Sequence, residues 1–115
     1  MKSVFTRGLA ALVMAGAAFA TQAQEWPSQS IKIVVPFPPG GTTDQIARHV
    51  QVPLGQALGQ TIVVENKGGG SGSIGAAMVA KAAPDGYTWL LVFDTHGVNP
   101  SLIPNLPFDT QTDLA

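Results

Sequence analysis

The segment Ile31-Lys-Ile-Val-Val-Pro-Phe-Pro-Pro-Gly-Gly-Thr-Thr-Asp44 holds a strand, a break and a helix start in direct succession. Its first five residues are β-branched apart from Lys32, which predicts a strand. Pro36 to Gly41 must leave the sheet, because prolines cannot donate to a ladder and paired glycines permit positive φ. Thr42-Thr-Asp-Gln45 reads as a helix start. Thr42 and Gln45 have the spacing of a capping box, and Asp44 places a negative charge at the positive end of the helix dipole. Ile46, Ala47, Val50, Leu54, Ala57 and Leu58 then fall on one helical face. Pro53 lacks the N–H that a helix interior needs, so the helix should kink or split there. Gly59 suits the position just past its end.

Working outward, Thr61-Ile-Val-Val-Glu65 predicts a second strand. Asn66-Lys-Gly-Gly-Gly-Ser-Gly-Ser73 predicts a flexible loop. Ile74 to Ala83 reads as a small-residue helix ended by Pro84, and Pro84-Asp-Gly86 as a turn. Tyr87-Thr-Trp-Leu-Leu-Val-Phe93 is almost continuously apolar, as expected of a strand covered on both faces. Asp94 to Ser101 reads as a loop, and Pro104 to Asp109 as another irregular stretch. The fold class is therefore α/β. A β-α-β-α-β order implies a parallel sheet with right-handed crossovers.

The other end of the chain carries a different kind of signal. Lys2 and Arg7 are the only charges before Glu25. Gly8 to Ala20 is uncharged and apolar, with small residues towards its end. This is the pattern of a secretory signal peptide. It is too short for a membrane span, which needs about 20 apolar residues. Cleavage after Ala23 is preferred to Ala20, giving residues 1–23 as the signal peptide and 24–115 as the mature chain. The product is expected to be periplasmic. There is no cysteine, so disulfides, thiolate metal sites and lipid attachment are excluded.

The whole chain has 115 residues, 11% charged, with a net charge of -1, and its mean hydropathy is positive. Such a composition is not that of a disordered polyelectrolyte. Loss of Lys2 and Arg7 leaves 4 basic residues against 7 acidic ones, a charge of -3. A nucleic-acid binder normally carries a basic face, so no nucleic-acid partner is expected. No two histidines or carboxylates fall at metal-ligand spacing, so no metal and no cofactor are expected.

In an open parallel sheet, ligands bind beyond the carboxyl ends of the strands. Three loops lie there: 36–43, 66–73 and 94–99. Lys67 is their only cation. The first two run into helix N-termini, whose free N–H groups and partial positive charge suit a carboxylate or phosphate. Glycines at 40, 41, 70 and 72 allow close backbone approach. The chemistry implied is capture of an anion by neutral donors. A rival reading exists, because Gly70-Ser-Gly72-Ser-Ile-Gly75 matches G-x-G-x-x-G and Asp94 ends the next strand. That makes a dinucleotide-binding oxidoreductase the alternative. Four residues separate the second strand from Gly70, which loses the tight turn such a site requires. A serine or threonine nucleophile with His96 as base and Asp94 as its orienter is not established by spacing. The chain is therefore read as a non-enzyme.

These same residues resemble the Bug-type extracytoplasmic solute receptors of tripartite tricarboxylate transporters. The resemblance rests on Trp26-Pro-Ser, on Ile31 to Asp44, on Leu58-Gly-Gln and on Val63-Val-Glu-Asn66. It continues through Gly75-Ala, Val79 to Thr88 and Asn99-Pro-Ser-Leu102. It implies a two-lobed periplasmic binding protein that closes on a small carboxylate and serves the membrane components of such a transporter. Members of that family are several times longer, so residues 24–115 would be an incomplete first lobe. A lobe lacking its later strands would leave apolar sheet surface uncovered and fold poorly alone. The resemblance assigns ligand contacts to Phe37, Gly40, Gly41, Thr42 and Asp44 in the first loop. It assigns Gly72, Ser73, Ile74 and Gly75 at the second helix start, and Thr95 and His96 in the third loop. Ser73 stands where asparagine is common, and Asp94 is unusual before Thr95. Both departures bear on which acid is bound.

Overall fold

The structure is a computed structural model and describes residues 25–114. The expected signal peptide lies outside the described residues. The elements are β1 (Ile31–Val35), α1 (Thr42–Leu58), β2 (Ile62–Asn66), a 3-10 turn at Gly70–Gly72, α2 (Ser73–Ala80), β3 (Thr88–Leu90) and α3 (Thr95–Leu102).

The sheet has the order β2-β1-β3, and both pairings are parallel. Ile31 faces Ile62 and Val35 faces Asn66; on the other side Ile33 faces Trp89. β1 is the central strand, which explains its burial. Ile31, Val34 and Val35 are fully buried, and only Lys32 reaches solvent. Side chains alternate along a strand. Ile31, Ile33 and Val35 therefore meet Ala47, Leu54 and Leu58 of α1, while Val34 looks the other way. α2 packs beside β1 and β3. Full burial of such a side chain stabilises by roughly 1.5–3 kcal/mol.

Four local expectations need correction. The first helix does not split at Pro53 but runs as one element from Thr42 to Leu58. Pro53 is exposed, so the carbonyl it leaves without a partner can be hydrated. The buried side of that helix is also rotated from the apolar stripe: Thr43, Asp44 and Ala47 are buried, whereas Ile46 and Val50 are exposed, as is Ala57. A polar network under the first turn, described below, draws that side inward. The second helix ends at Ala80, three residues before the expected boundary, and its last carbonyls are met by Lys81 and Ala82. β3 is confined to Thr88–Leu90 and is half-buried, because among the described residues it has one strand neighbour rather than two. Leu91 N–H still donates to Val34 O at 3.0 Å, so the pairing outlasts the strand by one residue.

The largest departure is α3. The expected loop at 94–99 is instead a helix start. Asp94 stands at its N-cap and accepts from Thr95 N–H at 2.9 Å. Asn99 is 5% exposed, and its Nδ2 donates to Ser71 O at 3.1 Å. That bond ties α3 to the loop before α2.

Candidate functional site

The strand order places β1 between the two strands that follow it in sequence. The chain moves from β1 to one side and then crosses to the other. In open sheets this reversal of direction marks a ligand crevice at the carboxyl ends of the strands. The segments that follow the three strands converge there. Lys67 N–H donates to Val35 O at 2.8 Å. The Phe37 and Phe93 rings lie 6.1 Å apart. Asn66 Nδ2 donates to Phe37 O at 3.2 Å.

At the first helix start, Gly40 has φ +85 and turns the chain into α1. The cap residue is Gly41, with no side-chain cap. The expected Thr42–Gln45 capping box does not form. Thr42 is already inside the helix, so Gln45 N–H reaches Gly41 O at 3.0 Å and Gln45 Nε2 reaches Gly40 O at 3.1 Å. Asp44 takes over the reciprocal bond and accepts from Gly40 N–H at 2.9 Å. Among the described residues, the amides of Gly41, Thr42, Thr43 and Asp44 have no protein acceptor. Thr43 is 2% exposed and its Oγ1 is buried without a partner. A buried polar atom left so costs about 1–3 kcal/mol.

Asp44 is held from three sides. Arg48 Nε donates to Oδ1 at 3.1 Å and to Oδ2 at 3.0 Å, and Asn66 Nδ2 donates to Oδ1 at 2.9 Å. Arg48 lowers its pKa most, followed by Gly40 N–H and Asn66, from 3.8 to about 2. A carboxyl with a depressed folded pKa contributes stability that is full above its unfolded value and lost as pH falls through the folded one. The turn should therefore stay ordered near neutrality and loosen between about pH 4 and about pH 2. The amide proton of Gly40, followed by NMR through an acid titration, checks this; a midpoint near pH 4 would contradict it.

At the second helix start, Gly72 is the cap and Ser73 N–H is already bonded to Gly70 O. Ile74 and Gly75 follow, where helix amides have no intrahelical acceptor. Ile74 is 55% exposed. Gly75 lies against the first turn: a Cβ there would come within 2.7 Å of Pro36 Cβ and 2.8 Å of Lys67 O. Absence of a side chain thus lets the α2 start sit beside the α1 start.

The third helix start differs. Thr95 N–H is taken by Asp94 and His96 N–H by Phe93 O, so neither amide is free. Thr95 is exposed. The His96 ring stacks on Phe108 at 6.1 Å. It lines a hollow of about 600 Å³ whose other walls include Val79, Trp89 and Thr110. Phe37, Gly40, Gly41, Thr42, Asp44, Gly72, Ser73, Ile74 and Gly75 are thus gathered at one edge. His96 turns towards the hollow beside α2 and β3.

Arg48 has no place in the sequence reading of this site, and Asn66 enters it only as the first residue of the second loop. The Asp44–Arg48 spacing of four residues is the one signal that could have found Arg48. Nothing local pairs Asn66 with them, because the pairing is made by the β1–β2 register. The result is an open shelf of two helix starts. Arg48, beneath the shelf, is matched by Asp44, and Lys67 lies exposed in the loop that leads to α2.

Residues 46–115 match the tripartite tricarboxylate transporter family receptor. Protein BugT of Bordetella pertussis is 42% identical over 105 residues, which cover 90% of this chain and 32% of BugT. The solved periplasmic binding protein BugD is 43% identical with a TM-score of 0.74, over 76% of this chain and 29% of that one. MatC from Rhodopseudomonas palustris, solved with bound malate, is 39% identical with a TM-score of 0.72, over 76% and 30% of the two chains. The chain therefore spans about a third of the length of its curated relatives. These likenesses favour a solute receptor over the dinucleotide-binding alternative built on Gly70, Gly72, Gly75 and Asp94. Match and fold agree, and the chain belongs to the tripartite tricarboxylate transporter receptor family, whose solved members include periplasmic binding proteins.

Proposed function

We propose that this chain is the signal peptide, residues 1–23, and most of the first lobe, residues 24–115, of a periplasmic receptor for a small organic carboxylate. The amides at the starts of α1 and α2 grip one carboxylate, and the loaded receptor delivers it to the membrane components of a tripartite tricarboxylate-type transporter. Its role is binding rather than catalysis, with no metal or cofactor. The observation that carries this reading is the α1 start, whose first amides have no protein acceptor among the described residues, set directly beside the α2 start. Oriented amides hold an anion without a fixed counter-charge. MatC binds malate, which supports the ligand class.

The test is calorimetry on the full-length protein with succinate, malate, adipate, citrate and NAD. One or more of the acids should bind at one site per chain, and NAD should not. Tight binding of NAD with no response to any acid would reverse the reading.

A further inference from the structure

Beneath the two helix starts lies a set of side chains that the gripping amides do not require. Asp44 uses both carboxylate oxygens on protein donors: Gly40 N–H, Arg48 Nε and Asn66 Nδ2. Asn66 is equally committed. Its Nδ2 donates to Asp44 Oδ1 and to Phe37 O, and its Oδ1 accepts from Arg48 Nη2 at 3.3 Å. Its amide thus has both donors and its oxygen engaged, which also fixes the orientation of the amide. The ring closes across three segments. Asp44 and Arg48 belong to α1, Gly40 and Phe37 to the turn before it, and Asn66 to the last position of β2.

The position of this ring gives it a consequence. Asn66 is the residue from which the loop to α2 departs, and Gly40 is the residue from which the chain enters α1. We propose that Asp44, Arg48 and Asn66 form a positioning clamp that sets the spacing between the two amide shelves, and that neither Asp44 nor Asn66 supplies a group to the bound acid. This rests on the carboxylate reading above and moves Asp44 from ligand contact to positioning residue. The physical case is one of occupancy. A carboxylate whose oxygens already take up a partly buried set of donors has nothing to offer an anion except repulsion. Arg48 Nε, 3.0 Å from Asp44, cancels that repulsion while holding the turn.

Charge and geometry predict opposite signs for one substitution, which makes the proposal testable. Asp44→Asn removes a negative charge beside an anion site. If charge ruled, the acid would bind more tightly. If the clamp rules, binding weakens, because one amide oxygen cannot satisfy three donors and the amide NH₂ then faces a donor. Asn66→Ser changes no charge and cuts the link between the shelves.

The full-length protein and both variants are titrated with whichever of succinate, malate, adipate and citrate the wild type binds. Backbone amide exchange is recorded at Gly40–Thr42 and Gly68–Gly72 without ligand. The clamp predicts binding about tenfold weaker in each variant, as expected if the competent arrangement falls to about a tenth of the population. It also predicts faster exchange in both segments for Asn66→Ser. Unchanged affinity in Asn66→Ser, or tighter binding in Asp44→Asn, would overturn it. If Asp44→Asn does not fold, Asn66→Ser decides alone. If the wild type binds none of the four acids, the carboxylate reading fails, and exchange unchanged in both segments of Asn66→Ser would then overturn the clamp separately.

Discussion

Gly75→Ala should lower the folding stability of the full-length protein by about 1–3 kcal/mol, the range for forcing an extra carbon into a packed site. The new Cβ would stand 2.7 Å from Pro36 Cβ, 2.8 Å from Lys67 O and 3.0 Å from Pro36 Cα. None of these is the free end of a flexible side chain. Relief requires α2 to move away from the first turn, and that movement pulls apart the two amide shelves. The substitution should therefore weaken carboxylate binding as well as stability. Gly97→Ala is the matched control. It lies inside α3, and its added Cβ meets nothing within 4 Å. There the loss of glycine's extra backbone freedom should stabilise, by about 0.5–1 kcal/mol. Urea midpoints of the two variants check both signs. Equal midpoints would show that the Pro36 contact has no energetic weight.

Pro53→Ala should raise stability by about 2 kcal/mol. A proline inside a helix is less favourable than alanine by about 3 kcal/mol, and its stiffening of the unfolded chain returns up to about 1 kcal/mol. α1 runs unbroken through Pro53, so the docking of Leu54 and Leu58 against the β1 face holds the helix together across a weak link. Alanine would supply the missing N–H without disturbing that face, because Pro53 is exposed. A urea midpoint that stays level or falls would mean the proline fixes a bend that the packing needs.

Pro53 also shows where sequence reasoning lost its grip. Local rules placed a kink or a split at the proline, and the helix does not split, because tertiary burial of the residues beyond it outweighed the local penalty. The strand-turn-helix from Ile31 to Asp44 was legible because each local signal there agrees with the fold. The β-branched run is the central strand, Pro36 to Gly41 leaves the sheet, and the acidic residue sits in the first helical turn. α3 was not legible. Gly97, Asn99 and Pro100 are poor helix formers, and the helix is held by a distant partner, Ser71 O, that no local window contains. The buried side of α1 was misplaced for a related reason. Periodicity finds apolar stripes, whereas this helix buries Thr43 and Asp44 in its first turn.

The candidate site divides along the same line. Its backbone parts, the two glycine-bearing helix starts, could be read from residue types and order. Its side-chain support could not. The link from Asp44 to Asn66 spans 22 residues and exists because β1 and β2 pair in a register that sets Val35 opposite Asn66. His96 illustrates the converse. The resemblance assigns His96 to the ligand, and the structure sets its ring against Phe108, lining the neighbouring hollow.

Amide proton shifts, recorded residue by residue as the full-length protein is titrated with its acid, measure most directly whether backbone dipoles do the gripping. The account predicts large downfield movement of Thr42, Thr43, Ile74 and Gly75, saturating together at one equivalent. Movement confined to the residues around His96 and Trp89, with those four amides unmoved, would contradict it.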